Sequence, residues 1–117
     1  MLSASVTYGA DNEIYVDQSG TGANIDLEQL GISNIIGGLN STAGNLTAFD
    51  LDGTSMTLDI NMIGATNKFL GDINANSFTG LYNFTGGSNT FTIQVDPTNT
   101  YSSNSSDQNI AVTGSSN

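Results

Sequence analysis

The chain has no cysteine and no histidine. Those two absences together remove thiol nucleophiles, imidazole bases, disulfides and the usual ligand sets of zinc and copper. Basic residues are almost missing as well: Lys68 is the one cation against 11 acidic residues, for a formal net charge of -10. A surface of that sign repels phosphate backbones and anionic lipid, so neither nucleic acid nor a membrane is expected as a direct partner. Charged residues make up only 10% of the chain, and solubility must rest on Asn, Ser, Thr and Gln. There is no tryptophan, one proline (Pro97) and no apolar run of membrane-spanning length. The opening MLSASVTYGADNE has neither the basic nor the apolar part of a secretory signal, so it is not expected to direct export.

What is present is a period. The 117 residues are enough for one domain with a modest core, and 14 of them are glycine. Steps of eleven from Gly20 land on Gly9, Gly31, Gly53, Gly64 and Gly86, with Thr42 and Ala75 at the intervening steps. Three residues after these marks stand Asn12, Asn34, Asn45, Asn67 and Asn89. Glycine and asparagine tolerate positive φ, so this spacing predicts one turn made repeatedly, at Gly20, Gly31, Asn34, Gly53, Gly64, Asn67, Gly86 and Asn89.

Between turns, apolar side chains fall two apart: Ile14 and Val16; Ile25 and Leu27; Phe49 and Leu51; Leu58, Ile60 and Met62; Tyr82 and Phe84; Phe91, Ile93 and Val95. Polar groups fill the alternate positions, which is the pattern of strands with one buried face. A unit of eleven leaves room for a short strand and a turn but not for a helix, so the domain is expected to be all-β. Leu39, Leu70 and Leu81 fall on the wet face, either as ordinary exposed residues or as parts of a contact patch. The repeat domain is expected over 1–97. Residues 98–117 are Ser- and Asn-rich and read as an arm or loop, with a last strand available through Ile110 and Val112.

Gln29-Leu-Gly31-Ile-Ser-Asn34 resembles the Gln-x-Gly-x-x-Asn core of curlin-type repeats, and Gln18-Ser-Gly20 followed by Asn24 is similar with one residue inserted. Similar repeats occur in small structural proteins of marine bacteriophage particles. The resemblance implies a β-solenoid-like stack of short strands, in which the Gln and Asn of successive repeats form ladders. Periodicity alone leaves an antiparallel β-sandwich as the alternative. In later units the Gln position becomes Asn40, Leu51, Met62, Ile73, Phe84 and Val95, and the apolar replacements favour a conventional core over an open-ended amyloid ladder.

A solenoid with two units per coil would align Glu28, Asp50 and Asp72 on adjacent strands, where like charges repel. Such a column needs either a divalent cation such as calcium or a different register, so these three are the candidate metal ligands; no other cofactor is expected. The same register stacks Phe69 on Phe91 and brings Ile25 near Thr47. Asp72-Ile-Asn74-Ala-Asn76 has the opening oxygen spacing of an EF-hand loop but lacks its glycine and closing glutamate. Gly20-Thr-Gly22 and Gly86-Gly87 lack the Lys-Ser/Thr and helix of a phosphate loop.

With no chemistry-bearing constellation, the chain is expected not to be an enzyme. The resemblance implies a structural protein of a bacteriophage virion, a head-decoration or fibre-type component that assembles with itself and with other virion proteins. Two alternatives stand beside it. One is an extracellular curlin-like fibre subunit; the other is a carbohydrate-binding module, which would need outward Tyr15, Tyr82 and Tyr101 gathered on one face.

Overall fold

The computed structural model describes residues 2–3, 7–10, 12–37, 49–95 and 106–116. They form strands β1 (Leu2–Ser3), β2 (Thr7–Ala10), β3 (Glu13–Ile14), β4 (Asp17–Thr21), β5 (Asn24–Ile32), β6 (Asn34–Ile36), β7 (Phe49–Thr54), β8 (Thr57–Gly64), β9 (Thr66–Asn76), β10 (Thr79–Gly86), β11 (Ser88–Val95) and β12 (Asp107–Gly114). The described residues contain no helix, and so none long and apolar enough to cross a membrane.

From β4 to β6 and from β7 to β12 successive strands alternate between two sheets, while β1 and β2 share the first and β3 and β4, like β6 and β7, share the second. The first runs β1-β5-β8-β10-β12 with β2 also on β5; the second runs β3-β6-β9-β7-β4 with β11 also on β9. Every pairing is parallel. The antiparallel sandwich is thereby overturned: from β4 to β5, β5 to β6, β7 to β8, β8 to β9, β9 to β10 and β10 to β11 a tight corner carries the chain into the opposite sheet, and like segments pair with later repeats.

Register follows the repeat with two offsets. Thr57 lies opposite Thr79, and Ser88 opposite Thr66, each 22 residues apart. Between β5 and β8 the offset is 33, with Asn24 opposite Thr57. The difference arises between β6 and β7. Ile36 pairs with Phe69 and Phe49 with Gly71, so a step of 2 residues in β9 corresponds to a step of 13 before it, an excess of 13 - 2 = 11. One repeat length of sequence is inserted there, so β6 and β7 together are matched by the single strand β9. At the far end Thr79 lies opposite Asp107, an offset of 28.

The strands form where the alternation says they should, because each inward residue finds the facing sheet. From the first sheet Ile25, Leu27, Leu58, Ile60, Met62, Tyr82 and Phe84 are buried, and from the second Ile36, Phe49, Leu51, Phe69 and Ile73. Each contributes roughly 1.5–3 kcal/mol of transfer free energy. Phe69 is central: its ring lies 5.7 Å from Phe49, 5.5 Å from Tyr82 and 5.4 Å from Phe91, the last pair stacked as the register requires. Ile25 pairs with Leu58, and Thr47 lies outside the described residues. Tyr82 is only 1% exposed, and burial pushes its phenol pKa up. Its place in the core removes it from any outward aromatic platform, and Tyr101 lies outside the described residues.

The two kinds of corner differ. From the second sheet to the first, the residue in left-handed conformation is Gly22 (φ 75), Ser55 (φ 57) or Ser77 (φ 52), followed at once by Ala23, Met56 or Phe78. Met56 and Phe78 are buried, so they plug that side of the stack. From the first sheet to the second, the corner is built on a Gly column and an Asn column.

Candidate functional site

The Asn column joins four repeats. Asn12 Nδ2 donates to Asn34 Oδ1 at 2.9 Å, Asn34 Nδ2 to Asn67 Oδ1 at 3.0 Å, and Asn67 Nδ2 to Asn89 Oδ1 at 2.8 Å. Asn34, Asn67 and Asn89 are buried. The same amide groups donate to corner carbonyls: Asn34 to Gly31 and Ile63, Asn67 to Met62 and Thr85, Asn89 to Gly86. An amide carries both donor and acceptor, so it satisfies a repeat above, a repeat below and the corner at once. None of these asparagines has positive φ; among the described residues the non-glycine ones that do are Ser33, Ser55 and Ser77. The sequence reading of Asn as a turn former is corrected accordingly, since its side chain, not its backbone freedom, is what the corner uses.

The glycines divide between the two roles. Gly20, Gly31 and Gly53 have positive φ, whereas Gly64 and Gly86 do not. A Cβ on Gly64 would lie 1.6 Å from the Gly31 carbonyl oxygen, and one on Gly86 would lie 1.7 Å from that of Gly64. Glycine recurs here because the backbone of the neighbouring repeat occupies the space of a side chain.

Gln18 and Gln29, the two halves of the doubled motif, lie in different sheets, in β4 and β5. Gln29 is buried, and its Nε2 donates to the Asn12 and Ile35 carbonyls. Its register partner in β8 is Met62, which pairs in turn with Phe84 in β10. The Gln position therefore continues as core, while Asn alone continues as a ladder.

The acidic column is real, but its membership differs from the expected one. Asp50 pairs with Asp72 and with Asp17, whereas Glu28 lies in the other sheet opposite Asn61. The inserted unit of eleven residues shifts partners by half a repeat pair, so Asp17 takes the place expected for Glu28. Beside this column Ser19, Asp52 and Asn74 form the next one, and Asn74 Nδ2 donates to Asp52 Oδ1 at 3.0 Å. Asp50 Oδ1, Asp72 Oδ1, Asn74 Oδ1 and Asn76 Oδ1 are closed off from solvent and accept no hydrogen bond. Among the described residues no three acidic side chains converge to hold a metal ion.

Burial, then the charges of Asp52, Asp72 and Asp17, push the Asp50 carboxyl from its ordinary 3.8 up to about 6. Asp72 is raised as well, by burial and then by Asp52. Because the folded pKa lies above the unfolded one, the folded chain keeps a proton that the unfolded chain has lost. Stability from this group is therefore greatest at the acid end and falls as pH rises from about 3.8 to about 6. Thermal melts across that window should show Asp50→Asn flattening a fall in Tm seen in the parent chain; a parent Tm unaffected by the substitution would contradict the coupling.

Leu70 lies half-buried in β9 of the second sheet and Leu81 exposed in β10 of the first, and Leu39 lies outside the described residues. The last strand read through Ile110 and Val112 is β12, but its exposed inner side was not legible in the sequence. Among the described residues β12 pairs only with β10, and β11 only with β9. Ile110 and Val112 stand in register with Tyr82 and Phe84, yet they are 45% and 36% exposed where the latter are 1% and 2%. The signal was present in the alternation of Ile110 and Val112, but sequence alone does not say which strand is last in its sheet.

Comparison with protein-family models, with curated proteins and with solved structures finds no match.

Proposed function

We propose that the chain is a β-solenoid and a non-enzymatic structural protein that works by assembling with copies of itself and with a larger scaffold, as a head-decoration or fibre-type component of a bacteriophage virion. The observation that carries the assembly reading is the last strand, β12, whose core-register residues Ile110 and Val112 are uncovered. An unpaired parallel edge is a template for a further strand. The Gly and Asn columns run the length of the described stack. Gly9 and Asn12 begin the columns at one end, and Gly114 and Asn89 belong to the same columns at the other. The virion setting rests on the resemblance of the Gln29–Asn34 segment to repeats of phage particle proteins.

Sedimentation velocity over a concentration series tests the assembly reading. Ile110→Lys with Val112→Lys should weaken self-association at least tenfold, roughly 1.4 kcal/mol, while leaving the β signal in circular dichroism intact. A parent chain that stays monomeric throughout would sink self-assembly through this edge. Immunogold labelling of intact particles tests the setting, and absence from purified particles overturns it. Thioflavin-positive fibres grown from purified monomer would favour the curlin-like alternative, in which the Asn ladder continues from molecule to molecule.

A further inference from the structure

We propose that the outer face of β7 and β9 holds a divalent cation, calcium in preference to magnesium, bound by Asp50 and Asp72 with the Asn74 amide oxygen. Asp50 and Asp72 are register partners on adjacent parallel strands, as are Asp52 and Asn74 two residues along. Residues two apart share a face, so these four side chains mark the corners of one rectangle. Strand spacing and rise place its centre about 4 Å from each Cα, within the span of an aspartate or asparagine side chain around one ion.

The independent indication of a ligand comes from Asn74. It is only 8% exposed, its amide nitrogen is turned to Asp52, and its Oδ1 is buried with no hydrogen-bond partner. A buried acceptor left unpaired is destabilising, and the Oδ1 atoms of Asp50 and Asp72 share its condition. Three orphaned acceptors on neighbouring positions of one sheet face, with no cation among the register neighbours Asp17, Ser19, Asp52 and Gln94, are short of positive charge. An ion supplies it to all three at once.

Oxygen-only ligands select a hard cation. Two carboxylates, an amide and water suit the six to eight flexible contacts of calcium better than the rigid octahedron of magnesium. With few protein ligands and no three converging carboxylates, the affinity belongs to the regime of about 10⁻⁴ to 10⁻³ M found in extracellular modules.

The test is a set of thermal melts at pH 7.5 in calcium chloride, with magnesium chloride and with sodium chloride of matched ionic strength as references. Calcium at about ten times its dissociation constant should raise the Tm by roughly 4–6 °C beyond both references. Asp50→Asn should raise the Tm without calcium, by relieving repulsion, and abolish the calcium increment; Asp72→Asn should also abolish it. Asp26→Asn, at exposed Asp26 opposite half-buried Asp59 in the other sheet, should keep the increment whole. An equal rise in sodium or magnesium, or an increment that survives Asp50→Asn, would overturn the site and leave general charge screening as the cause.

Discussion

Replacing Asn67 by alanine should lower the stability of the chain by about 3–5 kcal/mol, a large share of the 5–15 kcal/mol typical of a domain. Asn67 is 1% exposed and makes four side-chain hydrogen bonds. It accepts from Asn34 at 3.0 Å and donates to Asn89 at 2.8 Å, to the Thr85 carbonyl at 3.1 Å and to the Met62 carbonyl at 3.4 Å. Alanine removes all four and leaves a space where water has no ready access. Aspartate is nearly isosteric yet cannot donate, so it keeps the bond from Asn34 and loses the other three while placing a charge in the column; it should fare no better than alanine. Asn61, on the outer side of β8 opposite Glu28 and Asn83, is the matched control, and Asn61→Ala should change stability by less than about 0.5 kcal/mol. Urea denaturation followed by circular dichroism reads both. A loss below about 1 kcal/mol for Asn67→Ala would mean that the ladder does not hold the repeats together.

Adding a single methyl group at Gly64 should be worse still. Its Cβ would sit 1.6 Å from the Gly31 carbonyl oxygen and 2.8 Å from Asn34 Nδ2, so β5 and β8 must separate and break their pairing at the corner. The expected result is a loss above about 4 kcal/mol, which in a domain of this size means little or no folded protein. Gly87→Ala is the control: it lies 23 residues after Gly64, its nearest neighbour is the Ala65 carbonyl oxygen at 3.4 Å, and it should be tolerated. Soluble yield and Tm distinguish the two, and a Gly64→Ala chain as stable as its parent would show that the strands do not approach as closely as the register requires.

The strand faces were legible in the sequence because side-chain direction alternates with period two. Leu58, Ile60 and Met62 had to share a face whatever their partners were. The repeat was legible too, but its meaning was not. A spacing of eleven treats all units as equal, whereas the fold alternates a corner made of Gly and Asn with one made of Ser and a buried Met56 or Phe78. Asn and Gly satisfy two physical roles, positive φ and close or bonded approach between backbones, and the same letters encode both. Only the neighbouring repeat's position decides that Gly64 and Asn67 serve the second.

The inserted unit between β6 and β7 was hidden for a related reason. It is one period long, so Thr42 kept the count in step while the pairings that span it, β4 with β7, β5 with β8 and β6 with β9, moved to an offset of 33. That shift put Asp17 in place of Glu28 beside Asp50. The Phe69–Phe91 stack lies after the insertion, and it kept the simple offset of 22.

The shifted register is open to a direct chemical measurement, because the natural chain has no cysteine. Asp26 and Asp59 face each other across β5 and β8 at an offset of 33 and lie on the outer side. Parallel neighbours are about 4.8 Å apart, within the span of a disulfide. Oxidation of an Asp26→Cys, Asp59→Cys double variant, read as a mobility shift of the non-reduced monomer, should give near-complete intramolecular cross-linking, with Asp26→Cys, Asn61→Cys cross-linking far less. Equal or stronger linkage in the displaced pair, or none in the first, would contradict the parallel in-register stack from which the ladders, the acidic column and the open edge all follow.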